Sequence, residues 1–290
     1  MTLIYFGCAA YEIRRDARTA MELRKKSYFT QSNLPLTYAE IENARAAAFV
    51  NDLNAQRQAD PPSSPYDLWR ILAPTETGKL LLATAGLNTG IFALSFIPGV
   101  LDHFVHVPAI SSNYTLFTSM FGHAGLLHLG ANMWGLLTFA PVVARSRTFE
   151  RSGSHLAAFY LSSGVFASLV QHVSTAIIPA QRAAAFSGGL GASGAIFSLI
   201  GVFALSYPDA EVEILFLPFL TFTAKQVVTS FALLDLWGLL FGLKWLRFAH
   251  GAHLGGLAAG AAYFYWDGSR RVWKPARRLA FKGLQQFKLI

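Results

Sequence analysis

The sequence predicts an all-α membrane protein with six spanning helices, and three observations carry that expectation. Apolar residues make up 53% of the 290 positions and charged residues only 14%, against roughly 25% charged in an ordinary soluble domain. Six apolar segments reach the length of about 17 to 25 residues that crosses hydrocarbon as a helix. In the resulting topology all but three of the 24 lysines and arginines lie on one side, the exceptions being Arg182, Lys244 and Arg247. Such asymmetry orients the bundle with both of its ends on the basic side.

The elements follow in order. The first ten residues, MTLIYFGCAA, are apolar but too short to span. The acids in the following YEIRRDAR do not match a clean secretory signal or transit peptide, and the decapeptide is compatible with the stub of a truncated extra N-terminal helix. Residues 11–78 are polar. Within them Thr37 and Glu40 form a capping-box pattern for a soluble helix ending near Ala59, and PPSSP at 61–65 reads as a linker. Residues 1–78 therefore form an N-terminal segment. The membrane core, 79–266, holds spans at 79–98, 117–144 (with a polar first turn), 155–178, 190–207, 226–243 and 248–266. The tail, 267–290, is basic with interleaved aromatics. With a membrane surface adjacent, it is expected to be solvated against anionic headgroups, with no nucleic acid as partner. The only cysteine, Cys8, excludes an intrachain disulfide.

Polar groups inside the spans point to chemistry. The fourth span opens LGASGAIFSLIG (190–201), setting Ser193 between Gly191 and Gly194 about one turn, roughly 5 Å, below the basic-poor surface. The sixth span enters from the same side and carries His253 about five residues down. The second span also enters there, with His128 and Asn132 at i and i+4 on one face. Taken singly, each has an ordinary explanation: a packing serine, a relay histidine, a common GxxxG in Gly256 and Gly260. Together they lie at matching depth, where unpartnered polar groups are costly unless they share a wet cavity. A serine, a histidine and an amide at one wet site are the parts of an acyl-transfer centre. Glycines at 191, 194, 256 and 260 would let the helices approach closely. Ala195 excludes the soluble G-x-S-x-G elbow.

In order, HLGAN (128–132), GASG (191–194) and AHGAHLGGLAAG (249–260) resemble the rhomboid intramembrane serine proteases. Their marks are H-x-x-x-N on the second core helix, G-x-S-G heading a later one and a late A-x-x-x-H-x-x-G-x-x-x-G. The resemblance covers 79–266. It implies Ser193 as nucleophile, His253 as general base and acid, and His128 and Asn132 as oxyanion donors beside the Ser193 backbone amide. Gly191, Gly194, Phe197, Gly256 and Gly260 would support the packing. It also implies transmembrane protein substrates and no metal or cofactor. LGASGAI, FLPFLTFTA (216–224) and HGAHLGG look most like the mitochondrial presenilin-associated rhomboid-like branch. That branch implies the mitochondrial inner membrane, with a bacterial inner membrane as the alternative, and an extra leading helix that would suit the decapeptide.

Two positions depart from the family pattern. The loop 101–114 lacks a Trp-Arg pair, and Phe197 stands where many members carry tyrosine. The resemblance requires no carboxylate, so the histidine ring is expected to be held by packing on Phe197, with slow turnover as the consequence. Asp235, the one acid well inside a span, is expected to have a structural role at a helix contact. Gln171, His172 and Ser187 are expected to line a water path. Two rival functions are a transporter or channel with a polar pathway through these residues, and an inactive rhomboid-like protein that only binds helices. Below the polar level AIFSLIGVFAL and LAAGAAYFYW turn apolar, which favours a one-sided pocket over a pathway.

Overall fold

The computed structural model describes residues 1–25, 34–58, 75–214, 217–242 and 249–290. Six helices occupy the six predicted apolar segments: α3 (Glu76–Leu94), α4 (Leu126–Ala144), α5 (Gly153–Ile177), α6 (Ser193–Ser206), α7 (Ala224–Phe241) and α8 (His250–Tyr265). Among the described residues, α4, α5 and α7 are long and apolar enough to cross a membrane, and α6 is a shorter apolar helix.

Local chemistry sets where these helices begin. The Thr75 hydroxyl accepts from the Gly78 N–H at 2.9 Å and caps α3. Ser152 accepts from the His155 N–H at 3.0 Å and caps α5. Thr223 and Gln226 form a reciprocal capping box on α7. The expected start of the second span at 117 is corrected: Thr115–Thr118 is one helical turn, Ser119–Phe121 a 3-10 turn, and the continuous helix starts only at Leu126. At the break, Gly122 lies against the Phe104 carbonyl so closely that no Cβ would fit.

The all-α expectation also needs amending. Between α6 and α7 the chain forms an antiparallel hairpin of β1 (Glu211–Ile214) and β2 (Leu217–Thr223), pairing Glu211 with Thr223 and Val212 with Phe222. The segment is rich in β-branched and aromatic residues, which explains a sheet where hydropathy alone is silent.

The core is centred on α6, most of whose residues are buried. Its glycines and those of α8 bring the two backbones into contact. A Cβ on Gly256 would collide with the Gly194 carbonyl oxygen, and one on Gly260 with the Ser198 carbonyl oxygen. On the other side of α8, a Cβ on Gly255 would lie 2.8 Å from Val170 Cβ of α5. Thus α8 is wedged between α6 and α5 by two glycine faces, only one of which, Gly256/Gly260, was expected from the sequence.

The termini depart most from expectation. The apolar decapeptide forms the first turns of α1 (Thr2–Lys25), a continuous helix of 24 residues. The basic tail, expected to be solvated against headgroups, folds as α9 (Lys274–Gln286) and lays one face against α1. Tyr5, Ala9, Ile13, Ala17 and Ala20 form a helical stripe. The stripe packs with Ile41 and Ala44 of α2 (Tyr38–Gln58), with Trp273, with Ala280, Phe281 and Leu284 of α9, and with Ala158 of α5. The Thr37–Glu40 capping box forms as expected, and α2 ends at Gln58, close to the expected Ala59. The PPSSP segment lies outside the described residues.

Charge explains why these helices come together. Arg277 is fully buried and donates to Glu12, to Asp16 at 3.1 Å and to Glu42 at 3.0 Å. Burial alone would lower its pKa, but the three carboxylates outweigh that and raise it. Burial, reinforced by Glu12, raises Asp16 above the usual carboxylate range despite Arg15 and Arg277. Ser152, the α5 cap, also donates to Glu12 at 2.6 Å, tying the cluster to the membrane core.

Removing one partner of a buried ion network leaves the others uncompensated, at a cost of about 3 to 5 kcal/mol. Arg277→Ala should therefore release α1 from α9, read as faster amide hydrogen exchange across residues 5–20 while the core helices keep their protection. The Thr37 backbone N–H and then Arg24 hold the Glu40 carboxyl down at about 2, from its ordinary 4.5. A depressed acid contributes its stabilisation above the unfolded pKa and loses it as pH falls toward the folded one. Exchange protection at the start of α2 should therefore weaken between pH 4.5 and 2, and Glu40→Gln should flatten that dependence. Because the Glu40 side chain keeps 32% of its surface open to solvent, the effect should be modest.

Candidate active site

Ser193 is the first residue of α6, and the chain reaches it through an unusual backbone. Gly191 has φ +126°, which side-chain-bearing residues rarely adopt. Its N–H donates to the Ser119 carbonyl at 2.9 Å. Two residues earlier, Gly189 pairs with His106 through both of its backbone groups, each at 2.9 Å. The loop 101–114, which lacks the Trp-Arg pair, is thus clipped by this backbone bridge to the segment leading into Ser193. The serine stands at a helix start, where the first-turn N–H groups have no partner within their own helix.

The α6–α8 contact delivers His253 to this serine. The Ser193 hydroxyl lies 3.0 Å from His253 Nε2, and Phe197, one turn along α6, stacks on the imidazole with ring centroids 4.1 Å apart and planes 3° from parallel. His253 is 8% exposed and Ser193 half-buried. Next to the serine, the Gly194 carbonyl lies against Gly256, and a Cβ on Gly194 would meet Ala167 of α5 at 2.7 Å.

His128 lies over the loop before Ser193: a Cβ on Gly191 would fall 2.9 Å from its Nε2. The Ala124 N–H donates to His128 Nδ1 at 3.3 Å. A neutral ring that accepts at Nδ1 carries its proton at Nε2, so the N–H points toward the serine loop. Asn132 is buried, and one of its amide N–H groups donates to the His128 carbonyl at 2.8 Å within its own helix. That bond uses one of the two N–H donors of the amide.

Sequence reading passed over His123 and gave Asp235 only a structural role at a helix contact. His123 is buried with its ring 5.3 Å from that of His128. Five positions apart on a continuous helix they would face different ways, but α4 begins only at Leu126, and the irregular turn folds His123 back. The Asp235 carboxylate lies 3.2 Å from His253 Nδ1 through each oxygen and 2.6 Å from His250 Nδ1. The expectation that packing on Phe197 holds the histidine without an acid is therefore corrected: both do. The signal was present as a single acid within an apolar span, but spacing could not connect residues on different helices.

The expected water-lining residues scatter. Gln171 accepts from the Ala252 N–H at 3.3 Å beside the start of α8. His172 is 2.9 Å from His106, which in turn contacts Thr115 at 2.7 Å. Ser187 lies in the turn after the 3-10 segment Pro179–Phe186.

The chain is similar to known proteins. A family model described as the Rhomboid domain matches residues 111–270, more than half of the chain. The human presenilin-associated rhomboid-like protein, mitochondrial, is 27% identical over 278 residues, covering 94% of this chain and 66% of the relative. Its Bos taurus counterpart is 28% identical over 233 residues (79% and 58%). Rhomboid protein 1, mitochondrial, of Saccharomyces cerevisiae is 28% identical over 210 residues (70% and 57%). The chain thus spans about two thirds or less of these relatives' lengths. With mitochondrial relatives and apolar spanning helices, it is an integral mitochondrial membrane protein.

Gly191 offers a test of the geometry. Gly191→Ala adds a methyl group where His128 already sits and strains a left-handed backbone, so Ser193 should shift. Since misplacement of about 1 Å can cost roughly 100-fold, labelling of Ser193 by a fluorophosphonate should slow by about 10- to 100-fold, with the helical circular dichroism unchanged.

Proposed function

Because this chain belongs to the rhomboid family, we propose that it is an intramembrane serine endopeptidase that cleaves transmembrane helices of other proteins, with Ser193 and His253 as its catalytic residues. The observation that carries the reading is the 3.0 Å contact between the Ser193 hydroxyl and His253 Nε2 at the start of a helix. In this mechanism Ser193 Oγ attacks the scissile carbonyl carbon as its proton passes to His253 Nε2. The resulting oxyanion is met by the Ser193 backbone N–H, His128 Nε2–H and the second Asn132 N–H. His253 returns the proton to the amine nitrogen as the C–N bond breaks, leaving an acyl-serine. Water then attacks that ester as its proton passes to His253 Nε2, and His253 returns the proton to Ser193 Oγ as the ester C–O bond breaks, releasing the carboxylic acid product and restoring the serine.

Substrates would be helices weakened near one end by glycine, proline or other poor helix formers, because the scissile peptide must leave its helical hydrogen bonds to reach Ser193. Six spanning helices with both ends of the core on the basic side complete the reading. A strong lysine and arginine bias suits a membrane inserted under the positive-inside rule, and the inner mitochondrial membrane is the proposed location. A conduit fits less well. One turn below the site the Ser198 hydroxyl is bonded to Ser163 and to the Ala195 carbonyl, each at 2.6 Å, and apolar residues fill α6 beneath it.

Ser193→Ala and His253→Ala should each abolish cleavage of a transmembrane peptide in liposomes while the protein still folds and inserts; undiminished cleavage by either would refute the assignment. Asn132→Ala should lower kcat by about 10- to 1,000-fold with little change in KM, because its benefit arises in the transition state. A raised KM at normal kcat would instead place Asn132 in substrate binding.

A further inference from the structure

We propose that Asp235 and His250 are the positioning pair for His253: Asp235 sets the tautomer and orientation of the catalytic ring, and His250 braces Asp235 from its other side. The inference rests on the serine-protease reading above.

Stacking on Phe197 fixes the plane of the His253 ring but not which nitrogen carries the proton. The carboxylate decides that. An ionised carboxylate only accepts, so the nitrogen 3.2 Å from both of its oxygens, His253 Nδ1, is the one that donates. Nε2 is then left with its lone pair facing the Ser193 hydroxyl, as a general base requires. When the serine proton moves to Nε2, the positive charge on the ring lies beside the carboxylate, which stabilises it without taking the proton.

Asp235 is 2% exposed, and a buried carboxylate must be compensated. His250 supplies the second donor, at 2.6 Å. The fold makes room for this ring: one turn beyond Asp235 on α7, Gly238 leaves the space that a Cβ would need to share with the His250 imidazole. The Gln181 side chain donates to the carbonyls of Gly238 and Leu239, at 3.0 and 2.9 Å, and fixes that end of α7. Of the whole helix only Ala224, Asp235 and Gly238 are buried, so the inward face of α7 is largely the notch that holds this pair.

The test separates positioning from mere packing. Wild type, Asp235→Asn and Asp235→Glu are titrated with a fluorophosphonate to count competent Ser193, and cleavage of a transmembrane peptide is expressed per titrated site. Asp235→Asn should lose about 100-fold or more in kcat per site at unchanged KM, since its amide can donate to Nδ1 and turn the wrong tautomer toward serine, and Asp235→Glu should recover part of the loss. A packing role would lower the number of competent sites and leave kcat per site as in wild type, which would overturn the proposal. Should Asp235→Asn fail to fold, His250 decides. His250→Gln, which keeps a donor for Asp235, should retain most of kcat, whereas His250→Phe should lose about tenfold; equal rates for the two would also overturn it. A wild-type protein that neither labels nor cleaves would refute the serine-protease reading itself, a result distinct from a fully active Asp235→Asn.

Discussion

The backbone contact between α6 and α8 is the constraint on which the site depends. Serine is short, and a histidine from another helix reaches it only if the two backbones nearly touch. Gly256 lies against the Gly194 carbonyl with no room for a Cβ, and Gly260 repeats the contact one turn deeper against the Ser198 carbonyl. Lipid tails are as apolar as the helix surfaces, so hydrophobic burial gives little force for such pairing in a membrane; van der Waals packing at small residues takes its place. The same glycines that weaken an isolated helix thereby fix a reactive distance. Gly255, on the opposite face of α8, extends the wedge to Val170 of α5, so α8 is held from both sides and its histidine has little freedom.

Once the helices are so close, polar groups must find partners within the protein. Ser198 and Ser163 satisfy each other below the site. His106, His172 and Thr115 form a chain at the rim, and Asp235 is shared by two imidazoles. The third arrangement joins α7 to α8 through charge and hydrogen bonding rather than apolar packing. That suits α7, whose Leu233, Trp237 and Phe241 point outward: a helix whose apolar side chains face lipid needs another means of holding its neighbour.

The terminal helices repeat this logic outside the apolar core. Arg277 gathers three acids from α1 and α2, and an aromatic cluster continues inward from it. Trp273 stacks on His155 with centroids 4.7 Å apart, and His155 contacts the Tyr263 hydroxyl at 2.7 Å. Tyr263 belongs to α8, so one helix carries His253 at its start and meets the terminal assembly at its end. The two buried clusters of the molecule share that helix as a common wall.

Hydropathy located the six core helices, save for the first turns of the second, and counting residues placed Ser193, His253, His128 and Asn132 at one expected depth. Those properties are local: a helix must match the thickness of hydrocarbon, and depth follows from counting residues. Pairings between distant segments were decided only in three dimensions. Thr37–Glu40 was legible because its two partners are three residues apart, whereas Arg277 finds Glu12 and Asp16 more than 250 residues away. Asp235 read as a structural acid because its histidines stand on the next helix, 15 and 18 residues on, and nothing in spacing reveals how that helix is rotated. The α1 stripe had the same ambiguity, since its partner face lies on α9 at the other end of the chain. Where a residue's partner is a neighbour on the same helix, sequence fixes the contact; where it lies on another helix, packing does.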